Sequence, residues 1–138
     1  MFKFSERSNE RKKGVDDQLD MVFREAIKVS PIDFGIPGHG GKRTDSEQNE
    51  LFVKGVSKCD GFEIRSKHQD GKALDFYAFV NGQASWRPHH LSMVAGAIMA
   101  TANRLYDDGM INIKLKWGGE FGSDELDGWD MPHIEIKE

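Results

Sequence analysis

The sequence predicts an α+β domain in which a small antiparallel sheet packs with about three helices. Two segments repeat apolar residues at helical spacing and a third carries a helix-capping signature, whereas several short segments alternate apolar and polar residues or are rich in aromatic and β-branched ones. Helical and strand-like segments follow one another in irregular order, which favours an α+β arrangement. A chain of 138 residues fits a single domain, predicted to span residues 1–138.

The N-terminal half is predicted to contain two helices separated by a short strand. Apolar residues of the first helix recur at positions Leu19, Val22, Phe23, Ala26 and Ile27. Asp16 or Asp17 can cap its start, and the pair Ser30-Pro31 ends it. The segment IDFGI is a strand candidate that runs into the glycine-rich loop PGHGGKR. Thr44, followed three residues later by Glu47, forms a capping-box signature that predicts a helix to about Lys54.

The C-terminal half is predicted to contain three strands and the longest helix. Val56 to Gln69 has the composition of a loop, and Ala73 to Val80 has the aromatic and apolar content of one buried strand, ended by an Asn-Gly turn. Helical spacing extends from about Arg87 to Tyr106 through Leu91, Val94, Ala95, Ile98, Ala102 and Leu105. The segments INIKLKW, residues 111–117, and HIEIK alternate apolar and polar residues, which predicts two further strands.

Composition limits the partners of the chain. It carries 19 Lys and Arg against 23 Asp and Glu, a net charge of −4, which argues against nucleic acid or anionic lipid as an electrostatic partner. A single cysteine, Cys59, cannot form an intrachain disulfide. The N-terminal residues do not resemble a secretory signal, and the longest apolar-rich stretch, LSMVAGAIMATA, is shorter than a membrane span needs. We therefore expect no membrane insertion.

A histidine and an aspartate that flank a glycine are the first candidates for chemistry. His68 and Asp75 lie seven positions apart around Gly71, which allows the chain to turn back. A catalytic zinc site uses three protein ligands and leaves its fourth position to water. His133, at the start of the last predicted strand, is a candidate third ligand, and Asp130 could accept a proton beside it. On the residues alone, a surface histidine and a strand-end aspartate bonded to nearby backbone remain the alternative.

Several other residues have a structural and a functional interpretation. Glu135 lies on the same side of its strand as His133, so it could orient that ligand or pair with Lys137 at the surface. The acidic run GSDELDGWD is typical of a solvated loop, with a second metal such as calcium as the alternative. The remaining histidines, His39, His89 and His90, are predicted to lie at the surface. Cys59 is predicted to have no chemical role, and Trp86 and Trp117 are predicted to lie in the core or in the wall of a cleft.

Two separated motifs resemble a known peptidase family. SKHQDGKALD fits the pattern Ser-x-His-x-x-Gly-x-Ala-x-Asp, and DMPHIE fits Asp-x-x-His-x-Glu. Their order and separation are similar to those of the VanY-type zinc D-alanyl-D-alanine carboxypeptidases and L-alanyl-D-glutamate peptidases, closest to short phage endolysins. The similarity covers nearly the whole chain and includes the segments FKFSERS, KRTDSEQNELFVKG and WGGEF and the tryptophan of NGQASW.

The resemblance implies a role for each residue of the motifs. Zn²⁺ would be held by His68, Asp75 and His133 at the sheet, in a Hedgehog/D,D-peptidase-like fold. Asp130 would be the general base. Arg43 would steady the polarised carbonyl oxygen or a substrate carboxylate, and Ser66 would hydrogen-bond the substrate backbone.

The resemblance also implies a biological function. It predicts a zinc peptidase that cuts the L-alanyl–D-glutamate amide of peptidoglycan stem peptides and acts as a phage endolysin, a monomer whose partner is the bacterial wall. Such an enzyme would be a single zinc peptidase domain without a separate cell-wall-binding domain. It would accumulate in the host cytoplasm and reach the wall through a holin-type pore. A D-alanyl-D-alanine carboxypeptidase or dipeptidase is the first alternative, and an inactive metal-binding module of the same fold is the second.

Overall fold

The computed structural model describes residues 1–121 and 130–138, which form four α-helices, six short β-strands and two turns of 3-10 helix. The helices are α1 (Glu6–Arg11), α2 (Asp17–Val29), α3 (Asp45–Val53) and α4 (Pro88–Asp107). The strands are β1 (Asp33–Gly35), β2 (Ala73–Asp75), β3 (Tyr77–Val80), β4 (Gln83–Ser85), β5 (Leu115–Trp117) and β6 (His133–Ile136). The 3-10 turns cover Lys67–Asp70 and Gly118–Glu120. The predicted α+β class is confirmed.

The three predicted helices begin and end where their capping signals lie. The carboxylate of Asp16 accepts hydrogen bonds from the backbone at the start of α2, and Ser30 ends that helix. The Thr44 hydroxyl and the Glu47 carboxylate form the predicted capping box of α3. Pro88 occupies the first turn of α4, where its missing N–H costs nothing. The short α1, capped by Ser5, has too few residues to show a helical pattern and was not predicted.

The strands form two antiparallel three-stranded sheets, with orders β1-β3-β4 and β2-β6-β5. The prediction of one strand from Ala73 to Val80 is wrong, because β2 and β3 belong to different sheets. Phe76 lies between them, is fully buried and donates its backbone N–H to Pro132. The sequence does not indicate this corner, because the segments before and after Phe76 are equally apolar. The sheet of β2, β5 and β6 carries the chemistry described below.

Three further elements differ from prediction. Only Leu115–Trp117 of the alternating segment 111–117 forms a strand, since the backbone at Asn112 donates to the Gln18 side chain of α2 instead of a strand partner. The predicted loop 56–69 ends in the 3-10 turn Lys67–Asp70. The exposed edge strand β4, which completes the hairpin turned at the predicted Asn-Gly pair, has no apolar pattern to predict it.

The core lies between the helices and the sheets. Helix α2 packs against α4, which also contacts β3 and β5. The largest apolar side chains with almost no exposed surface are Phe23, Phe76, Leu19, Ile36, Leu74, Ile98, Leu105 and Ile134. Within residues 1–121 and 130–138, no helix has the length and apolar character needed to cross a bilayer.

Candidate metal centre

Strand pairing brings Asp75 and His133 together. They are register partners across the antiparallel pair β2–β6, so their side chains project from the same face of the sheet at adjacent positions. Nδ1 of His133 lies 3.1 Å from Oδ1 of Asp75. Fifty-eight residues separate the two in sequence, and only the β2–β6 register places them side by side.

His68 reaches the same point from the 3-10 turn that precedes β2. Ser66 caps this turn by accepting a hydrogen bond from the His68 backbone, and Gly71 ends it with a left-handed φ of 70°. Nδ1 of His68 is 3.0 Å from the Gly41 carbonyl, which therefore fixes the ring. A Cβ at position 41 would collide with the carbonyl of Arg11, so only glycine can stand there. His68 has 2% of its surface exposed, and hydrogen bonds hold both its backbone N–H and its ring.

Three donor atoms form a nearly equilateral triangle. Nε2 of His68 lies 3.2 Å from Nδ1 of His133 and 3.2 Å from Oδ1 of Asp75, and the third side is 3.1 Å. A tetrahedral zinc site with bonds of about 2.0–2.1 Å has its ligand atoms about 3.3 Å apart. The cluster of His68, Asp75 and His133 could therefore hold a metal ion. Two imidazoles and one carboxylate oxygen fit zinc, and three protein donors leave a position for water.

The other nitrogen of each imidazole has an acceptor that fixes its tautomer. Gly41 accepts from Nδ1 of His68, which leaves the Nε2 lone pair for a metal. Glu135 lies 2.9 Å from Nε2 of His133, which leaves the Nδ1 lone pair facing the same point. Glu135 is in turn held by Lys67 at 3.0 Å. In a metal-loaded protein both rings would thus present neutral donor atoms to the ion.

The charged side chains of the cluster shift one another's pKa values. Burial would lower the pKa of His133, but hydrogen bonds to Asp75 and Glu135 outweigh it and raise the pKa to about 9 in the metal-free protein. Burial would raise the pKa of Glu135, yet His133 and Lys67 lower it to about 2. The pKa of Asp75 is likewise held below its usual range by His68 and His133 despite burial. Both carboxylates are therefore ionised at neutral pH.

Asp130 lies beside the cluster without joining the donor triangle. Its Oδ2 is 3.8 Å from Nδ1 of His133, and its carbonyl accepts the His133 backbone N–H. Burial raises the pKa of the Asp130 carboxyl, with Asp75 adding to the rise and His133 opposing it. A carboxylate with a raised pKa accepts a proton more readily than an exposed one. The geometry suits transfer of a proton at the edge of a metal site.

Arg43 contacts the opposite oxygen of Asp75. Its Nη2 donates to Oδ2 of Asp75 at 3.2 Å, Nη1 donates to the Gln48 side chain at 3.0 Å, and Nε donates to the His39 carbonyl at 2.7 Å. Burial lowers the pKa of Arg43, and Asp75 and Asp130 oppose this. These contacts use three of the five guanidinium N–H donors. The structure thus places Arg43 against a ligand carboxylate as well as in the cleft.

The cluster opens into a cleft of about 810 Å³. The cleft is lined by the cluster residues His68, Asp75 and His133, together with Arg43 and Asp130. Its walls also include Pro37, Gly38, Leu51, Val56, Ser57, Cys59, Ser66, Trp86, Phe121 and Glu135. Ser66 therefore borders the cleft while its hydroxyl caps the His68 turn. The cleft is large enough for a peptide segment.

The other residues named from the sequence lie at varied positions. His39 is half-exposed and pairs with Glu47 on α3. His89 and His90 lie in the first turn of α4, and Cys59 is a partly buried free thiol. Trp117 donates its indole N–H to the Met131 carbonyl at 2.6 Å. The acidic run of residues 122–130, except Asp130, lies outside the described residues, and so does any calcium site there.

Gln48 is the residue of this site that the sequence analysis missed. It is the one fully buried side chain of α3, and it links Arg43 to the loop that contains Ser57 and Cys59. The sequence did contain an indication of this role. A glutamine on the buried face of a helix needs hydrogen-bond partners inside the protein for its amide. The helix capping was predicted correctly, but the direction of α3 relative to the cleft was not visible.

Comparison with known proteins points to one family. A family model described as phage L-alanyl-D-glutamate peptidase matches residues 1–137. The chain is 28% identical to the L-alanyl-D-glutamate peptidase of Escherichia phage T5 over 142 aligned positions, which cover 98% of each protein. Its fold is similar to the crystal structure of the Serratia marcescens L-Ala D-Glu endopeptidase ChiX, with a TM-score of 0.78, 29% identity and coverage of 99% of this chain and 90% of the other.

Proposed function

The chain belongs to the phage L-alanyl-D-glutamate peptidase family, and from that membership we propose that it hydrolyses the L-alanyl–D-glutamate amide of peptidoglycan with zinc as its metal. The main support for a metal-dependent reaction is the donor triangle of His68, Asp75 and His133. Two neutral imidazoles and a carboxylate oxygen are the ligand types of catalytic zinc. Zinc held there would supply a Lewis acid for the scissile carbonyl and lower the pKa of water.

Asp130 is proposed to move the proton. A water molecule adds to the alanyl carbonyl carbon, and Asp130 takes the proton that this water loses. The same carboxyl then gives the proton to the amide nitrogen as the carbon–nitrogen bond breaks. The products are a free carboxylate on L-alanine and a free amino group on D-glutamate. The raised pKa of Asp130 and its position 3.8 Å from a ligand atom support this assignment.

Arg43 is proposed to balance charge on the reacting carbonyl. Three of its N–H groups hold it against His39, Gln48 and Asp75, which leaves two for the substrate. A guanidinium held in this way is ready for an oxygen that becomes negative during addition of water. Its bond to Asp75 also holds one carboxylate oxygen away from the metal position. Ser66 is proposed to contact the substrate backbone from the rim of the cleft.

The experiment is a digest of purified Gram-negative peptidoglycan, with new termini determined by mass spectrometry. A free amino group on D-glutamate, lost with a chelator and restored by Zn²⁺ but not Mg²⁺, is the expected result. Release of free D-alanine would replace this function with the carboxypeptidase alternative. No cleavage by folded, zinc-loaded protein would refute both peptidase functions.

An Asp130→Asn variant separates the metal from the proton transfer. It keeps the shape of the side chain but cannot accept a proton, so turnover should fall by about 10²–10⁴-fold. Zinc content should remain one per chain, because Asp130 lies outside the donor triangle. An Arg43→Lys variant should lose about 10²–10³-fold, since an ammonium cannot reproduce the fork that Arg43 forms.

We further propose a setting for this activity. The matched family model is described as a phage peptidase, which supports peptidoglycan as the partner and host lysis as the role. The protein would act as a monomer, accumulate in the host cytoplasm and reach the wall through a holin-type pore, with no binding of nucleic acid and no membrane insertion. Its net charge of −4 agrees with the absence of a nucleic-acid partner.

A further inference from the structure

Trp86 exposes an aromatic face in the cleft. It is 51% exposed and lines the same cavity as the metal-binding cluster. Trp117, by contrast, donates its indole N–H inside the protein to Met131. Among the residues that the structure describes, the indole N–H of Trp86 has no such partner. A large apolar ring with a free donor at its edge is suited to binding a molecule from outside.

The position of this ring is fixed by its neighbours. Trp86 lies between the end of β4 and the start of α4, so the backbone is anchored on both sides. The hydroxyl of Ser85 bonds His90 at 2.7 Å, which ties this connection to the helix. Tyr77, on the neighbouring strand β3, contacts the indole in a tilted arrangement, with ring centroids 5.8 Å apart and an angle of 43° between the ring planes. The exposed part of the Trp86 ring is therefore a preformed surface in the cleft.

The proposed substrate has a sugar within one residue of the bond that is cut. In peptidoglycan, the amino group of L-alanine is joined through a lactyl ether to N-acetylmuramic acid. A pyranose ring presents a face of C–H groups that packs on an indole, and its acetamido oxygen can accept from an indole N–H. The peptide beyond the scissile bond carries carboxylates, which the electron-rich face of an indole disfavours.

We propose that Trp86 forms a saccharide subsite that binds the N-acetylmuramic acid attached to the L-alanine of the substrate. This inference rests on the proposed function, because the sugar lies near the metal only when the L-alanyl bond is cut. Trp86 would contribute to substrate binding and not to the reaction itself. Its removal should therefore raise KM for substrates that carry the sugar and leave kcat unchanged.

The test compares two substrates with the same tetrapeptide. One is the disaccharide tetrapeptide released from peptidoglycan by a muramidase, and the other is the tetrapeptide with an acetyl group on L-alanine in place of the lactyl sugar. Wild-type protein should prefer the first by about tenfold in kcat/KM, which is the worth of one good stacking contact. Trp86→Ala should abolish this preference, because it should raise KM for the disaccharide substrate about tenfold more than KM for the acetyl-peptide.

Two controls make the result specific. Trp86→Phe keeps an aromatic face and should retain part of the preference. Phe79→Ala removes another exposed ring, 40% accessible on β3 and outside the cleft, and should leave both substrates unaffected. If Trp86→Ala lowers kcat/KM equally on both substrates, or keeps the wild-type preference, the saccharide subsite alone is overturned. Wild-type protein that cleaves neither substrate would overturn the proposed function and the subsite with it.

Discussion

The side-chain oxygen of Gln48, a residue with no exposed surface, accepts a hydrogen bond from Nη1 of Arg43 at 3.0 Å. The amide nitrogen of Gln48 donates to the Ser57 hydroxyl and to the Cys59 carbonyl, both at 2.8 Å. One buried amide thus joins the arginine beside the metal cluster to the loop that forms part of the cleft wall. The amide nitrogen thus donates twice and the amide oxygen accepts once within that link.

Replacing this amide should affect both stability and catalysis. Gln48→Met keeps the volume but leaves Arg43 and the Cys59 carbonyl without their partner, so the free energy of unfolding should fall by about 1–3 kcal/mol. Turnover should fall by about tenfold or more because a misplaced guanidinium stabilises the reacting carbonyl poorly. Urea unfolding and peptidoglycan hydrolysis measure the two effects.

Gln48→Glu separates the two links of this residue. It keeps an acceptor for Arg43 but cannot donate to Ser57 or Cys59, so it should preserve kcat better than Gln48→Met while raising KM. Gln83→Met, on the exposed strand β4, is the matched surface control and should behave as wild type. Wild-type kcat and KM in Gln48→Met would show that Arg43 needs no anchor.

Glu135 should set the affinity of the metal site. Its contact of 2.9 Å with Nε2 of His133 fixes the ring and increases the basicity of Nδ1. Loss of such a carboxylate typically costs about 10–100-fold in metal affinity, and we expect this for Glu135→Ala. Competition for Zn²⁺ with a chromophoric chelator measures it.

Two neighbouring changes test this explanation. Lys67→Met removes the ion pair to Glu135 but leaves the contact with His133, so metal affinity should change little. Glu138→Ala removes an exposed carboxylate that pairs with Lys72, and affinity should be unchanged. An equal loss in Glu135→Ala and Glu138→Ala would attribute the effect to net charge and not to the His133 contact.

Metal binding should release a proton at neutral pH. Burial lowers the pKa of His133, but Asp75 and Glu135 raise it to about 9 in the metal-free protein, so the ring is protonated at pH 7. A metal ligand must be neutral, and binding therefore displaces that proton. Affinity should rise by up to about tenfold per pH unit as pH increases toward 9 and level off above it.

Calorimetry in two buffers of different ionisation enthalpy counts the protons released. Asp75 and Glu135 should contribute none, because the pKa of each lies below its usual range. In Glu135→Gln the pKa of His133 should be lower, and the levelling-off of affinity should move to lower pH. A flat affinity between pH 6 and 9 would contradict this view of His133.

Sequence reasoning identified the parts of this site that depend on local signals. The cap at Thr44 and the turn at Gly71 each depend on a few consecutive residues, and the structure shows both. The motifs also named His68, Asp75 and His133, which the fold brings together. Their roles in catalysis stay predictions until variants are measured.

What the sequence could not show depends on register and packing between distant segments. The pairing of Asp75 with His133 is set by the β2–β6 ladder, and the corner at Phe76 separates two sheets within one apolar run. The burial of Gln48 likewise depends on how α3 sits against residues 57–59. Periodicity reports only the neighbours within one element, so such relationships appear only in the folded chain.

Gly118 should control the position of Asp130. The backbone of Asp130 passes so close to Gly118 that a Cβ at position 118 would collide with the Asp130 carbonyl. Gly118→Ala therefore must displace Asp130, whose carbonyl also accepts the His133 N–H. A shift of about 1 Å at a catalytic group can cost about 10²-fold in rate, and we expect a loss of that order in kcat. Hydrolysis rates and zinc content measured together would separate this effect from loss of the metal.

Gly96→Ala provides the matched control for that substitution. Its added methyl group meets open space on α4, and alanine is the better helix former, so stability should rise slightly with activity unchanged. Gly118→Ala should keep its zinc, because the atoms nearest to the new methyl group belong to Asp130, which lies outside the donor triangle. Full activity in Gly118→Ala would show that the rate does not depend on the position that Gly118 gives to Asp130.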